Sequence, residues 1–427
     1  MLTLSQRPEP GFSPLGAFPA DHLSRTQEAA AALKGRRHPR YGFLDAGTDH
    51  EEIARIATMA KAIVADDLLV LGIGGSALGT VAFMHATNAK KRDRVHVLES
   101  PDPVHLSAVL ARLDPAKTAV NIVSKSGTTL ETLSQWSVIE SWLHATKVFD
   151  KQRIVVTTDP KSGPLRAHAT EKGYATLPVP EMIGGRYSVF TPVGLLPLAW
   201  AGVELEGLAA GVRQGSERFD LAAKLASTLV HSQLGEGRSM VVVWPYGERL
   251  QAIGRWFQQL WAESLGKATH LDGTRAHVGN TPVACVGPND QHSLLQLFAD
   301  GPKDKHYLFL AAKNAPATLR VERPIPGSEF LTGKSLQDIL LAEARATFAA
   351  LASQGHPCSF LMIDDMSATA VADLFVQLMS ATVIGAALYA VDPFDQPAVE
   401  LGKRIALGLL GHEKHRAEAD AMARYLP

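Results

Sequence analysis

The chain has 427 residues and a formal net charge of -1, from 42 Lys and Arg against 43 Asp and Glu. This balance gives no electrostatic reason to expect nucleic acid or an anionic membrane as a partner. The two cysteines, Cys285 and Cys358, lie in apolar runs; this predicts buried thiols in a reducing compartment and no structural metal. The first residues have no signal-peptide pattern, so we expect a cytoplasmic protein.

The first half of the chain alternates predicted helices with predicted strands. Residues 1–45 are expected to be irregular apart from one short helix. The predicted helices lie at 25–33, 51–63 and 130–148. The predicted strands are short and apolar, and they lie at 68–71, 95–98, 119–123 and 154–158. Alternation of this kind is typical of a parallel sheet covered by helices on both faces.

A second α/β unit is predicted after a long linking helix at 205–229. Its strands are expected at 240–244, 282–286, 307–311 and 359–363. The longest apolar run, 381–391, is too short to span a bilayer. We therefore predict four parts, namely an irregular or helical extension at 1–45, α/β domains at 46–203 and 204–390, and a C-terminal helical segment at 391–427.

A hydroxyl-rich turn follows the strand at 119–123 and opens the next helix. Its sequence is Ser124-Lys125-Ser126-Gly127-Thr128-Thr129. Backbone N–H groups at a helix N-terminus and rotatable O–H donors suit a phosphate group. With one cation and no Gly-Lys-Ser/Thr pattern, the turn fits one phosphomonoester better than a nucleotide triphosphate. Simple capping of the helix by these hydroxyls is the alternative.

A glycine turn after the strand at 68–71 supports a rival hypothesis. Gly72-x-Gly74-x-x-Ala77 fits the dinucleotide-binding fingerprint, and Glu99 lies at a suitable distance to hold a ribose. A dehydrogenase is therefore one interpretation, although it leaves the hydroxyl-rich turn unexplained. The same glycines would equally let the backbone and the Ser76 hydroxyl approach a sugar phosphate.

Seven segments in order resemble motifs of the phosphoglucose isomerase family. They are residues 72–79, 124–132, 184–188, 193–197, 263–267, 291–297 and 394–403. The resemblance implies two sugar-isomerase (SIS) domains, each a flavodoxin-like parallel sheet with helices on both faces. It implies reversible conversion of D-glucose 6-phosphate to D-fructose 6-phosphate through ring opening and a cis-enediolate, a step of glycolysis and gluconeogenesis. It also implies a compact bacterial form, no cofactor or metal, and a homodimer whose subunits share their active sites.

The resemblance also assigns site residues. The implied phosphate-binding and turn residues are Gly75, Ser76, Ser124, Lys125, Ser126, Thr128 and Thr129. The implied catalytic residues are Glu263, Arg186, His292 and Lys403, and Gln259 and Gln396 are implied to contact the substrate. The helix of Glu263 has an apolar stripe at Phe257, Leu260, Trp261 and Leu265. At 3.6 residues per turn, Glu263 points away from this stripe and lies beside Gln259.

Each catalytic residue has an implied role and an ordinary structural alternative. Glu263 would move the proton between C2 and C1, and Arg186 would stabilise the enediolate oxygen. His292 and Lys403 would open the sugar ring, with the division between them left open. The alternatives are a solvated glutamate, a loop arginine in an ion pair, a structural histidine, and a Lys403 paired with Glu400.

Several positions depart from the commonest family pattern. They are Asp290, Leu265 and the pair Pro397-Ala398. None removes a catalytic group, but they put strict preference for glucose over mannose in doubt, so a bifunctional phosphoglucose/phosphomannose isomerase is the nearest alternative. A SIS-type sensor that binds a sugar phosphate without turnover is another. Asp395 is expected to cap the helix that carries Lys403, with Pro397 in its first turn.

Overall fold

The computed structural model describes residues 1–7, 21–145, 149–315 and 319–427. The strands of this part are β1 (Leu2–Arg7), β2 (Asp67–Leu71), β3 (Val95–Leu98), β4 (Thr118–Ser124), β5 (Ile154–Thr158), β6 (Ala175–Pro178), β7 (Met240–Pro245), β8 (Lys267–Thr269), β9 (Arg275–Val278), β10 (Thr281–Ala284), β11 (Lys305–Ala312) and β12 (Cys358–Ile363). All eight predicted strands are confirmed, with ends shifted by no more than two residues.

The helices of the described part are α1 (His22–Lys34), α2 (His50–Ala62), α3 (Leu78–Ala86), α4 (Pro103–Leu110), α5 (Leu130–His144), α6 (Pro164–Lys172), α7 (Pro192–Trp200), α8 (Leu205–Gly215), α9 (Asp220–Leu234), α10 (Gln251–Leu265), α11 (Leu295–Asp300), α12 (Leu336–Ser353), α13 (Ala368–Tyr389), α14 (Glu400–Leu409) and α15 (Glu413–Met422). The helix predicted at 130–148 is confirmed as α5, and its predicted last residues, 146–148, lie outside the described residues.

The first sheet is parallel throughout, with the strand order β3-β2-β4-β5-β6. Counted within this sheet, the order is 2-1-3-4-5, which is the flavodoxin-like order. The direction of strand addition reverses between β2 and β4, whose paired residues include Leu71 and Ile122. Because ligands of such sheets bind beyond the carboxyl ends of the strands at this switch point, the turns after β2 and β4 are placed together there.

The second sheet has the order β1-β12-β11-β7-β10. Its last four strands are parallel, and β1 lies antiparallel to β12, from Leu2 opposite Ile363 to Arg7 opposite Cys358. The expectation that residues 1–45 are irregular apart from one helix is therefore wrong for 2–7. Its pairing partner, β12, lies more than 350 residues away along the chain, so no local sequence pattern indicates that β1 is a strand.

The two sheets share one layer of helices between them. On β2, Leu68 and Val70 face this central layer, whereas Leu69 and Leu71 face the outer helices, because successive side chains of a strand point to opposite sides. Helices α10 and α13 meet in the central layer, where the Trp256 ring stacks on Phe375 with a centroid distance of 4.0 Å. The central layer therefore holds α10 firmly between the two sheets.

Helix α13 is apolar along most of its length because it forms part of this core. It includes most of the apolar run 381–391 and is long enough, by length and composition, to cross a membrane, with mean hydropathy of 1.8 over its most apolar window. However, 94% of that window is buried inside the protein. The composition of α13 is thus explained by its packing within the fold.

The single linking helix predicted at 205–229 is wrong, because the chain forms α8 and α9 with a break at 216–219. At the break, Gly215 packs so closely on α13 that a Cβ there would lie 2.8 Å from the Cβ of Val376. The Ser216 hydroxyl donates to the Leu44 carbonyl at 2.6 Å. These tertiary contacts end α8 within 213–218, a stretch of polar residues and glycine.

Helix α8 also packs closely on the start of α13 at Gly211. A Cβ at Gly211 would lie 2.2 Å from the Thr369 carbonyl oxygen and 2.8 Å from the Ala372 Cβ. We therefore expect Gly211→Ala to lower the free energy of unfolding by about 1–3 kcal/mol through overpacking. Urea unfolding followed by circular dichroism measures the effect.

Gly402→Ala on α14 is the matched control for Gly211→Ala. A Cβ at Gly402 meets no heavy atom of the described residues within 4 Å. The same substitution should be neutral or stabilise by about 1 kcal/mol there, from helix propensity alone. Equal destabilisation by both variants would contradict the close helix contact at Gly211.

Candidate active site

Two glycine turns pack against each other at the carboxyl edge of the first sheet. The 3₁₀ turn Gly74–Ser76 follows β2, and the 3₁₀ turn Gly185–Tyr187 precedes α7. A Cβ on Gly75 would lie 2.2 Å from the Gly185 carbonyl carbon and 2.5 Å from the Arg186 nitrogen. Only glycine permits this approach, which fixes where the Arg186 side chain begins.

Helix α10 presents two polar side chains on the face opposite its apolar stripe. The stripe residues predicted from the sequence are all buried. The amide Nε2 of Gln259 donates to Oε2 of Glu263 at 3.1 Å, and the Glu263 side chain is 25% exposed. The same amide group lies against the first glycine turn, since a Cβ on Gly74 would lie 2.9 Å from it. The prediction that Glu263 lies beside Gln259, away from the apolar stripe, is therefore confirmed.

Arg186 lies next to Glu263 and is almost fully buried, with 3% of its side chain exposed. Its Nη1 is 3.5 Å from Oε2 of Glu263, and its Nε donates to the Ser264 hydroxyl at 2.7 Å. The Tyr187 hydroxyl is 3.0 Å from the same Ser264 oxygen, and burial raises the pKa of Tyr187 to about 12. The guanidinium is therefore fixed in orientation beside the carboxylate.

Arg186 also holds the segment that joins α13 to α14, which we call the 392–396 segment. Its Nη1 donates to Oε1 of Gln396 at 2.9 Å, and its Nη2 donates to the carbonyls of Pro393 at 2.5 Å and Asp395 at 3.1 Å. A planar fork of N–H donors suits this divergent set of acceptors better than an ammonium group would. Gln396 is thereby brought beside Glu263, and its implied contact with the substrate stays a prediction.

Lys267, directly after α10, contacts the same segment from another direction. Its Nζ lies 2.8 Å from Oδ1 of Asp395 and also donates to the Asp395 carbonyl. The expectation that Asp395 caps the next helix is therefore wrong, because its carboxylate pairs with Lys267. The chain instead enters α14 through the 3₁₀ turn Pro397–Val399, which begins with the proline.

Residues near the N-terminus support the outer side of the 392–396 segment. The Phe394 ring stacks on His38 with a centroid distance of 5.8 Å and an interplanar angle of 6°. Arg40 lies 3.7 Å from the Asp392 carboxylate. Residues 38–40 thus contribute to the site region, a contribution that the sequence alone did not indicate.

A cleft of about 850 Å³ opens beside these groups. Its polar lining includes Gln259, Glu263, Lys267, Asp392, Asp395 and Gln396. Its wall also includes Pro397 and Ala398, two of the positions that depart from the common motif. This volume lies within the range of small-molecule sites, and its polar groups converge on one region.

The hydroxyl-rich turn occupies the carboxyl end of β4, next to the first glycine turn and its Ser76. Ser124 Oγ and Thr129 Oγ1 are 2.8 Å apart, and the Gly127 N–H donates to Ser124 Oγ at 3.1 Å. Thr128 Oγ1 donates to Ser126 Oγ at 2.9 Å. Thr129 is the N-cap residue of α5, yet its hydroxyl bonds Ser124 and makes no cap bond within the described chain. The hydroxyls of this turn therefore bond mainly one another.

Lys125 fastens this turn to the chain leading to Arg186. Its Nζ donates to the carbonyls of Glu181 at 2.7 Å and Ile183 at 2.9 Å. Burial, followed by the nearby charge of Arg40, lowers the pKa of Lys125. Two of its three N–H groups are thus engaged with backbone. Its implied contact with phosphate stays a prediction.

The structure does not bring His292 or Lys403 to the cleft. His292 is exposed and ends the 3₁₀ turn Asn289–His292, at the far end of β10 in the second sheet. Lys403 lies on α14 in an exposed ion pair, with its Nζ 2.8 Å from Oε1 of Glu400. This pair is the structural alternative considered from the sequence. A single chain in this arrangement therefore gathers Glu263, Gln259, Arg186 and Gln396.

Comparison with known proteins gives consistent matches. A family model described as phosphoglucose isomerase matches residues 56–423. A protein named glucose-6-phosphate isomerase from Thermus thermophilus is 40% identical over 416 residues, covering 94% of this chain and 98% of that protein. A protein of the same name from Rubrobacter xylanophilus is 36% identical, covering 93% of this chain and 95% of that protein.

Solved structures agree with these sequence matches. The crystal structure of a hypothetical protein from Thermus thermophilus superposes with a TM-score of 0.85 at 36% identity, covering 96% of this chain and 100% of that one. A glucose-6-phosphate isomerase from Chlamydia trachomatis has the same fold, with a TM-score of 0.77 at 22% identity, covering 98% of this chain and 83% of that one. The expected architecture of two α/β domains is confirmed. The chain belongs to the phosphoglucose isomerase family.

Proposed function

We propose that this chain catalyses the reversible isomerisation of D-glucose 6-phosphate and D-fructose 6-phosphate in the cytoplasm. The observation that carries the proposal is the pairing of Glu263 with Arg186. A partly exposed carboxylate at the cleft lies 3.5 Å from a buried, fixed guanidinium. Aldose–ketose isomerisation needs a base to move a proton between two carbons and a positive charge to stabilise the enediolate oxygen.

The proposed mechanism begins with binding of the phosphate at the switch point of the first sheet. Hydroxyls of Ser124, Ser126, Thr128 and Thr129, with N–H groups at the start of α5, would exchange their mutual hydrogen bonds for bonds to the dianion. The Gly75 backbone and the Ser76 hydroxyl would face it from β2. A cradle of neutral donors binds the phosphate without the strong ion pair that would slow its release.

Proton transfer would follow once the sugar ring is open. Glu263 would take the proton from C2 of the aldose and return it to C1, giving the ketose. Gln259 holds one oxygen of this carboxylate, and Gln396 is held by Arg186, so both amides would orient the sugar. The permanent positive charge of Arg186 would stabilise the enediolate between the two transfers.

Ring opening would use His292 and Lys403, and His292 would come from a second copy of the chain. The hydrogen bonds that hold the turn of His292 support this assignment. Its neighbour Gln291 donates to the Tyr246 hydroxyl at 2.6 Å and to the Thr347 hydroxyl at 2.5 Å. The turn that carries the exposed His292 is therefore held in place, and it lies outside the cleft of its own chain. Lys403 would leave its exposed pair with Glu400 to assist at the ring oxygen or O1.

The rival interpretations are weakened by specific contacts. In a dinucleotide site, the second glycine of the turn leaves space for pyrophosphate, whereas here a Cβ on that glycine, Gly74, would lie 2.9 Å from the Gln259 amide nitrogen. A sensor would need only the phosphate turn, and it would not require the Glu263 carboxylate at the cleft with Arg186 3.5 Å away. Neither a nucleotide nor a nucleic acid is therefore part of the proposal.

One observation supports the bifunctional phosphoglucose/phosphomannose alternative, namely that some of the positions that depart from the family motif face the cleft. Leu265 is fully buried in the core, and Asp290 bonds the Val286 N–H at 2.7 Å, so neither faces the cleft. Pro397 and Ala398 do line the cleft. If mannose 6-phosphate is accepted, the cause would therefore be these two residues.

A coupled assay tests the proposed function directly. Fructose 6-phosphate is supplied together with glucose-6-phosphate dehydrogenase and NADP, and NADPH formation reports isomerisation. Purified protein should form NADPH at a rate proportional to its concentration. Absence of NADPH formation would contradict the proposed isomerase activity. Mannose 6-phosphate, with coupling enzymes free of phosphomannose isomerase, gives a signal only for the bifunctional alternative.

Replacement of the proposed base is the first mutational test. Glu263→Gln keeps the size and the hydrogen bond with Gln259 but removes the proton acceptor, so kcat should fall by at least ~10²-fold. Binding of a substrate analogue should change much less. Glu28→Gln, on the exposed face of α1, is the matched control. Activity of Glu263→Gln within a few-fold of the wild type would make Glu263 an ordinary helix-surface residue.

Removal of two hydroxyls tests the phosphate site. Ser126→Ala combined with Thr128→Ala should weaken fructose 6-phosphate binding by about 1–3 kcal/mol, because donors to a dianion are lost. Ser134→Ala with Ser137→Ala, on the exposed face of α5, should leave binding unchanged. Free glucose should bind poorly to all versions. Unchanged affinity of the first double variant would place the phosphate elsewhere.

Mixed dimers test whether the active sites are shared. Glu263→Gln and His292→Ala homodimers should each be nearly inactive. After joint unfolding and refolding, about half of the dimers should be mixed, and each would hold one intact and one doubly changed site. Activity should then approach ~25% of wild type. If mass spectrometry finds mixed dimers and activity does not return, each chain supplies its own histidine.

A further inference from the structure

We infer that Lys267 is a positioning residue of this active site, one that fixes the last turn of α10 against the 392–396 segment. The turn carries Glu263, and the segment carries Gln396. This inference rests on the proposed function, since it assigns the part that Lys267 has in the proton transfer by Glu263.

The Lys267 ammonium group is buried and has a complete set of partners. Its side chain is 8% exposed. Its Nζ donates to the Glu263 carbonyl at 3.1 Å, to the Asp395 carbonyl, and to Oδ1 of Asp395 at 2.8 Å. An ammonium group has three N–H donors, and three acceptors are present. Lys267 therefore has no donor left for a substrate and acts through other residues.

The contact with the Glu263 carbonyl serves the end of the helix. The last four carbonyls of an α-helix have no partner within the helix, and α10 ends at Leu265. Lys267 satisfies one of these carbonyls and places a positive charge at the negative end of the helix dipole. The backbone of the proposed base is thus held directly by Lys267.

The contacts with Asp395 complete a closed ring of four residues. The Asp395 carbonyl accepts from both Lys267 and Arg186. Arg186 reaches the Glu263 carboxylate, and the Glu263 carbonyl accepts from Lys267. Both ends of Glu263, its carboxylate and its backbone, are therefore tied to cations that share one carbonyl.

Loss of Lys267 would open this ring on one side only. Arg186 would still hold the 392–396 segment, so the cleft and its charges would persist. The last turn of α10 would no longer be fixed to that segment, and the Glu263 carboxylate would lose its set distance from Gln396. Because a displacement near 1 Å can reduce a rate ~10²-fold, proton abstraction is the step that should suffer.

The test is Lys267→Met, which keeps the length of the side chain and removes its donors. In the coupled assay, kcat should fall about 10- to 100-fold while KM changes far less. With fructose 6-phosphate dideuterated at C1, the carbon from which the proton is abstracted in this assay, the primary isotope effect on kcat should rise above the wild-type value, because proton abstraction becomes more rate-limiting. Lys267→Arg, which keeps a cation with several donors, should recover part of kcat and lower the isotope effect.

Lys61→Met is the matched control, since Lys61 lies in the last turn of α2 and is exposed. It should leave kcat and the isotope effect unchanged. A Lys267→Met enzyme with the wild-type kcat would overturn the inference. So would a reduced kcat with the wild-type isotope effect, which would indicate only fewer folded molecules.

A second variant covers the case in which Lys267→Met does not fold. Asp395→Asn changes a half-exposed side chain and removes one anionic acceptor from the ring. It should give a smaller fall in kcat with a raised isotope effect, and unchanged values would overturn the inference. Wild-type protein without turnover would contradict the proposed function itself, whereas an active wild type with unaltered variants would contradict only the role of Lys267.

Discussion

The site depends on one buried cation, the guanidinium of Arg186. Removal of a charged group from water is costly, and the cost is offset only when partners with good geometry surround it. Arg186 has the Ser264 hydroxyl, the Gln396 amide oxygen, two backbone carbonyls and the nearby Glu263 carboxylate. These partners come from α10 and from the 392–396 segment, which are distant in sequence. The guanidinium therefore holds α10 and the 392–396 segment together beside Glu263.

The position of Arg186 follows from a backbone constraint in the first sheet. The turn of Gly75 and the turn of Gly185 approach so closely that neither side chain nor ligand fits between them. Lys125 then ties the hydroxyl-rich turn to the chain that enters the second turn. The hydroxyl-rich turn and Arg186 are thus parts of one connected structure at the switch point.

The charged side chains of the site are unevenly distributed. The proposed phosphate site relies on hydroxyls and N–H groups, whereas cations are concentrated around Glu263 and the 392–396 segment. His292 and Lys403 lie outside this group, one on a fixed turn of the second sheet and the other on the surface of α14. The residues proposed for proton transfer are therefore gathered within one chain, whereas those proposed for ring opening are not.

The sequence by itself determined eight of the twelve strands of the described residues, the α/β fold class, the turns after β2 and β4, and the face of α10 that carries Glu263 and Gln259. These features follow from local periodicity and short motifs, which act over a few residues. It also indicated the family, through seven motifs in order. Leu130 as the start of α5 and Val95–Leu98 as β3 are examples in which the local pattern was sufficient.

The tertiary structure alone decided the features that join distant residues. It paired β1 with β12, divided the expected linking helix through contacts of Gly215 and Ser216, and gave Asp395 to Lys267 instead of a helix cap. It also left His292 and Lys403 away from Glu263 within one chain. Each outcome depends on which surfaces meet after folding, and residues more than 100 positions apart have no periodic or local signal that records their meeting.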